Sequence, residues 1–142
     1  MMSQSQIFLP CVALAVLTAM VWIRLYVERV GEMRARRIRP QVLASAKEVA
    51  QALLKVNAAD HFRNLFEVPV LFYVLCISLA VTQLVTPLDI WAAWSFVVLR
   101  AAHSLIHLTY NRVMHRFMVY ATSTLLVYAM WVSFGVRLLS AQ

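Results

Sequence analysis

Of 142 residues, 63% are apolar and 13% charged, and the formal net charge is +7; a soluble domain carries about 25% charged residues. A mean hydropathy of +0.75 excludes an ordinary soluble globule, and the basic residues lack the aromatic interleaving and motifs of a nucleic-acid binder. Cys11 and Cys76 both fall inside apolar runs, which argues against a disulfide framework and reads them as small buried hydrophobes.

Crossing about 30 Å of hydrocarbon takes roughly 20 helical residues, and four stretches are long enough: Ile7–Val27, Leu65–Val85, Leu88–Leu108 and Phe117–Val136. The sequence therefore predicts an all-α integral membrane four-helix bundle forming one domain over residues 1–142. No basic residue precedes the first stretch and no small-residue cleavage site follows it, so it is expected to remain as a helix rather than be removed as a signal. Cys11, Ala15 and Ala19 recur every fourth position along it, a small-residue stripe of the kind that lets another helix approach closely. Arg24 and Glu28 close that span on one face.

The connection over residues 28–59 holds Arg29, Arg34, Arg36, Arg37, Arg39, Lys47 and Lys55. Within it, Gln41–Ala59 contains no Gly or Pro, so a helical segment is expected there, started by Pro40. Arg112 and Arg116 mark the connection between the third and fourth spans, whereas Thr86-Pro87 between the second and third is uncharged. Basic short loops stay in the cytoplasm. Both termini are thus expected on the non-cytoplasmic side, in an inner membrane of bacterial type, with the basic loop at its anionic lipid surface.

The second span opens with DHFRNLFEVP, residues 60–69, an unusual concentration of ionisable groups before an apolar run. Asp60, Asn64 and Glu67 fall at i, i+4 and i+7, one face of a continuous helix, with Arg63 four residues before Glu67. Pro69 cannot donate to the carbonyl of Leu65, so a kink is expected beside Glu67. Thr86-Pro87-Leu88-Asp89 reads as a compact helix start with Thr as cap, Pro at the first position and an acid in the first turn.

On the third span Arg100, His103, His107 and Tyr110 share one face. Arg100 lies roughly 12 Å below the cytoplasmic end at 1.5 Å rise per residue, too deep for easy snorkelling. It needs a partner, and Glu67 is the nearest acid in depth. Arg116 and Tyr120 share a face at the start of the fourth span. These clusters are expected to line one pocket in the cytoplasmic half of the membrane, since ionisable groups within spans face a bundle interior or a cavity. A purely structural ion pair between Arg100 and Glu67 is the competing reading. His103 and His107 at i, i+4, with His61 or His115, provide too few ligands in too poor a spacing for a metal site to be predicted.

Taken together, Asn64-x-x-Glu67 followed by Pro69, Arg100-x-x-His103, and Arg116 with Tyr120 resemble the MAPEG family, the membrane-associated proteins in eicosanoid and glutathione metabolism. The resemblance, which covers nearly the whole chain, implies a homotrimer binding glutathione as cosubstrate between neighbouring subunits near the cytoplasmic face. It implies that Arg116 activates the thiol, with Tyr120 one turn away. It further implies that Asn64 and Glu67 hold glutathione and that His103 and His107 line the cleft, where Arg24, Arg63 and Arg100 are available to its anionic groups. The expected activity is that of a microsomal glutathione transferase or peroxidase acting on small lipophilic electrophiles or lipid hydroperoxides. Asp60 stands where glutathione-using members have an arginine, His107 where a tyrosine is common, and Phe117 where a small hydroxyl residue occurs. Those departures carry the alternative, a non-catalytic membrane subunit that binds a larger complex or lipid.

Overall fold

The computed structural model describes residues 4–39, 41, 45, 48, 49 and 57–141. A short 3-10 turn, Gln4–Ile7, leads into α1, Phe8–Ala35; then come α2, Asn57–Asn64, α3, Val68–Val81, α4, Pro87–Leu108, and α5, Val113–Ser140. No strand occurs among the described residues. Of the helical segment expected over Gln41–Ala59, Ser45 and Glu48 form reciprocal capping bonds, Ser45 N–H to Glu48 Oε2 at 2.8 Å and Glu48 N–H to Ser45 Oγ at 3.3 Å. Its C-terminal residues enter α2, and most of the rest, with Pro40, lies outside the described residues.

Among the described residues, three helices are long and apolar enough to cross a membrane: Gln4–Ala35, Ala58–Val81 and Val113–Ser140. The second is α2 and α3 taken together. The stretch predicted over Leu88–Leu108 lies within α4, which at 22 residues has the length but carries Asp89, Arg100, His103 and His107 on its buried side.

The helix ends follow local chemistry. Thr86 is the N-cap of α4: its Oγ1 accepts from Asp89 N–H at 3.3 Å, and Asp89 Oδ2 accepts from Thr86 N–H at 2.7 Å. This reciprocal box satisfies donors that a helix start otherwise leaves open. Among the described residues, three that are not glycine turn corners with positive φ: Arg37 at 53°, Gln83 at 57° and Asn111 at 46°. The chain has two glycines, neither at positive φ, so other residues must adopt the left-handed conformation. Asn is several-fold favoured there; Arg and Gln are not.

The apolar core occupies the half of the bundle near the α3–α4 turn. Phe72, Leu75, Cys76 and Leu79 of α3 pack against Ala93 and Phe96 of α4 and Val127 and Met130 of α5, with Ile7 and Leu14 closing the side. Phe72 and Phe96 stack with centroids 4.5 Å apart. Within lipid, burying such groups gains packing contacts but little hydrophobic driving force, so polar ties between helices gain weight. One lies beside this core. Arg137 of α5 donates from Nη1 and Nη2 to the two oxygens of Asp89, each at 2.8 Å, and from Nη1 to the Leu84 carbonyl at 2.7 Å.

Candidate functional site

The other half of the bundle is built around a break in the second span. Pro69 has no N–H for the Leu65 carbonyl, and the backbone leaves the helix over residues 65–67: Phe66 N–H bonds to the Arg63 carbonyl at 2.9 Å, and Val70 N–H restarts α3 on Glu67 at 3.2 Å. Asp60, Asn64 and Glu67 therefore do not share one continuous helical face, as an unbroken span predicts. The break turns Glu67 toward α5, where its Oε2 accepts from the Tyr120 hydroxyl at 3.2 Å. On α2 itself the buried stripe is Ala58, His61 and Leu65, while Asp60 is exposed.

His61 reaches α4. The Ser104 hydroxyl donates to the Arg100 carbonyl at 2.8 Å, so its oxygen accepts from His61 Nε2–H at 2.7 Å. One turn apart on α4, His103 Nδ1–H donates to the Arg116 carbonyl at 3.2 Å. A guanidinium can only donate, so His107 Nε2 is the acceptor of its 3.1 Å bond from Arg116 Nη1. The partners thus fix the tautomer of each ring. The three imidazoles form a cluster with centroids 5.0 to 5.8 Å apart.

Around this cluster lies a group of unmatched nitrogens. His61 Nδ1, His103 Nε2, His107 Nδ1 and all three guanidinium nitrogens of Arg100 are buried with no hydrogen-bond partner among the described residues. Arg100 is fully buried, between Phe96 and Tyr120, with its guanidinium carbon 5.3 and 4.9 Å from their ring centroids. These contacts offset part of the cost of burying the cation. No ion pair joins Arg100 to Glu67 among the described residues, so the structural pair anticipated from depth does not form within this chain. Each buried unmatched polar group costs about 1–3 kcal/mol, so a concentration of them in one place calls for a physical reason.

A cavity of about 190 Å³ opens beside this cluster, lined by Asn64, His103, Val113, Arg116, Phe117 and Tyr120. Arg116 Nη1 is held by His107 and by Asn111 Oδ1 at 3.0 Å. Asn64, His103, Arg116 and Tyr120 are thus brought to one cavity. Glu67 bonds to Tyr120, His107 bonds to Arg116 and Arg100 packs on the Tyr120 ring, so these three adjoin the lining without being part of it. Arg63 is exposed on α2. Arg24 is set apart: it pairs with Glu28 at 2.9 Å and lines a separate groove of about 310 Å³ between α1 and α4. Among the described residues no group of three or more His, Cys, Asp or Glu is arranged to hold a metal. The imidazole cluster does not fit one physically either, because His107 Nε2 is occupied by a guanidinium and a dication would sit against Arg100 and Arg116.

His61, Ser104 and Asn111 belong to this site, and sequence reasoning did not assign them to it. For His61 a signal existed: Ala58, His61 and Leu65 recur at i, i+3 and i+7, the spacing of a buried stripe. For Asn111 the signal is an asparagine in a short helix connection, which favours a left-handed corner.

The family model of MAPEG matches residues 7–136. The chain belongs to the MAPEG family. This MAPEG protein is an integral membrane protein, and the matched region contains every candidate residue from Arg24 to Tyr120. No curated relative and no solved structure matches it.

Proposed function

We propose that this MAPEG protein is a glutathione-dependent transferase or peroxidase acting on small lipophilic electrophiles or lipid hydroperoxides. The observation that carries this reading is Arg116 lining the cavity while two neutral acceptors hold one of its nitrogens. Glutathione supplies a thiol that either displaces a leaving group from an electrophile or, as two thiols oxidised to a disulfide, reduces a hydroperoxide to an alcohol and water.

The fit to glutathione rests on the donor set. A thiol is mostly protonated at neutral pH, and an adjacent guanidinium favours the nucleophilic thiolate. Arginine stays charged even when partly desolvated, and Nε and Nη2 of Arg116 form no hydrogen bond among the described residues. The unmatched donors of Arg100 suit carboxylates, and Glu67 suits an amino group. Asn64 contributes an amide that both donates and accepts. Phe117, exposed at the cavity rim, offers an apolar surface to a substrate arriving from the bilayer.

This reading includes a four-span bundle assembled as a homotrimer, with glutathione held between neighbouring copies and both termini on the non-cytoplasmic side. Arg24 stands away from the cavity within one chain, and in this assembly its charge reaches a cavity only from a neighbouring copy. Arg63, exposed beside Asn64, takes the role of the charge that Asp60 lacks.

The test is glutathione binding to the detergent-purified protein by calorimetry, with thiolate formation followed by ultraviolet difference absorbance. Binding with a thiolate signal is expected, together with a loss of about a hundredfold or more in turnover in Arg116→Ala and a trimer by native mass spectrometry. No binding at millimolar glutathione sinks the proposal and leaves the non-catalytic subunit, which predicts a stoichiometric partner retained after mild solubilisation.

A further inference from the structure

We infer that Asn111 is a positioning residue for Arg116, one that sets the direction of the guanidinium without reducing its charge. The inference rests on the proposed thiol chemistry and extends it to a residue outside the cavity lining.

Two things that Asn111 does are separable. Its backbone turns the corner between α4 and α5 at φ 46°, with its N–H bonded to the Ile106 carbonyl at 2.8 Å. Its side-chain Oδ1 accepts from Arg116 Nη1 at 3.0 Å, while His107 Nε2 accepts from the same nitrogen at 3.1 Å. A guanidinium Nη carries two N–H groups, so these bonds use both of them. The two N–H groups of Nη2 and the one on Nε remain for the cavity.

The kind of acceptor matters as much as the number. A carboxylate in either position would fix the guanidinium equally well, yet its negative charge would oppose a thiolate a few ångströms further on. Here the holders are a primary amide and an imidazole. The imidazole is neutral, because its Nε2 receives a hydrogen bond and so carries a lone pair. Arg116 is held rigidly and keeps its full attraction for an anion. Asn111 suits the corner for an independent reason, being one of the few non-glycine residues that readily adopts positive φ. One residue type meets both demands.

Two substitutions separate the demands. Asn111→Gly keeps the corner, since glycine is at ease at positive φ, and removes the acceptor. Asn111→Asp keeps both the corner and an acceptor but adds a charge. The experiment titrates the thiolate absorbance of glutathione bound to each full-length protein against pH, alongside thermal denaturation. Asn111→Gly is expected to melt slightly below the wild type, by the loss of one hydrogen bond, and to lose about tenfold in kcat/KM, with kcat carrying most of the loss. Asn111→Asp is expected to move the thiolate titration to higher pH by on the order of one unit.

A wild-type thiolate that titrates identically in both variants overturns the inference and leaves the proposed function standing. A wild-type protein that forms no thiolate overturns both. A titration unmoved by Asn111→Asp, with only thermal stability altered, assigns Asn111 a purely structural role.

Discussion

Two arginines at opposite ends of the same bundle are treated in opposite ways. Arg137, beside the apolar core, meets both oxygens of Asp89 and a backbone carbonyl, and Asp89 in turn completes the cap of α4. Arg100 is fully buried and has three guanidinium nitrogens without a hydrogen-bond partner among the described residues. The first arrangement is complete within the chain and holds helices together. The second is left incomplete in the half that also contains the cavity, the three imidazoles and Arg116, which is where binding chemistry is expected to sit.

The contrast is most directly broken by converting the complete end into an incomplete one. Asp89→Leu leaves Arg137 without its carboxylate. Removing one partner of a buried pair costs about 3–5 kcal/mol, and because the Arg137 side chain is 24% exposed the lower part of that range is expected. Thermal unfolding in detergent should show a large loss, and Arg137→Met on the same background should recover most of it, since the penalty belongs to the orphaned charge. If the double variant is no better than Asp89→Leu, the pair contributes attraction of its own.

At the other end the sign reverses. Arg100→Met replaces an unmatched cation with an apolar chain of similar length, so the ligand-free protein should gain about 1–2 kcal/mol after the lost contacts to Phe96 and Tyr120 are set against the relieved desolvation. Calorimetry should then show glutathione affinity weakened by about tenfold or more, the loss of a charge-assisted bond. A variant that is both less stable and unimpaired in binding would show that Arg100 is structural. Ser104→Ala should lie between these cases: it removes the acceptor of buried His61 Nε2–H at a cost of about 1–2 kcal/mol, again read from thermal unfolding.

How far the sequence reveals all this depends on whether a feature is local. The cap at Thr86, the apolar spans and the break near Pro69 follow from neighbouring residues. So does the gathering of Arg100, His103 and His107, which needs only the helical period of α4. The destination of Glu67 is not local. Periodicity alone places it on an unbroken face with Asp60 and Asn64, whereas the three non-helical residues before α3 turn it to Tyr120 across the bundle. The same break makes His61, rather than Asp60, the buried polar residue of α2. Asp89 shows the limit from the other side: its place in the first turn of α4 is legible, but its pairing with Arg137, forty-eight residues away, depends on how α5 packs.

The smallest effect tests whether the complete end is a single unit. Thr86→Ala removes a hydroxyl that accepts from Asp89 N–H and donates to Asp89 Oδ2 at 2.7 Å. Loss of a helix cap costs about 1 kcal/mol. If the cap and the Arg137 pair act independently, Thr86→Ala should lower stability by the same amount in the wild type and in the Asp89→Leu/Arg137→Met background. The geometry predicts otherwise, because one carboxylate oxygen of Asp89 serves the Thr86 N–H, the Thr86 hydroxyl and Arg137 Nη1 together. With that oxygen gone the hydroxyl retains only its bond from the residue 89 N–H, so the cost of Thr86→Ala should fall to about half. A double-mutant cycle by thermal unfolding resolves the difference: a non-zero coupling makes cap and ion pair one structure, and a zero coupling separates them.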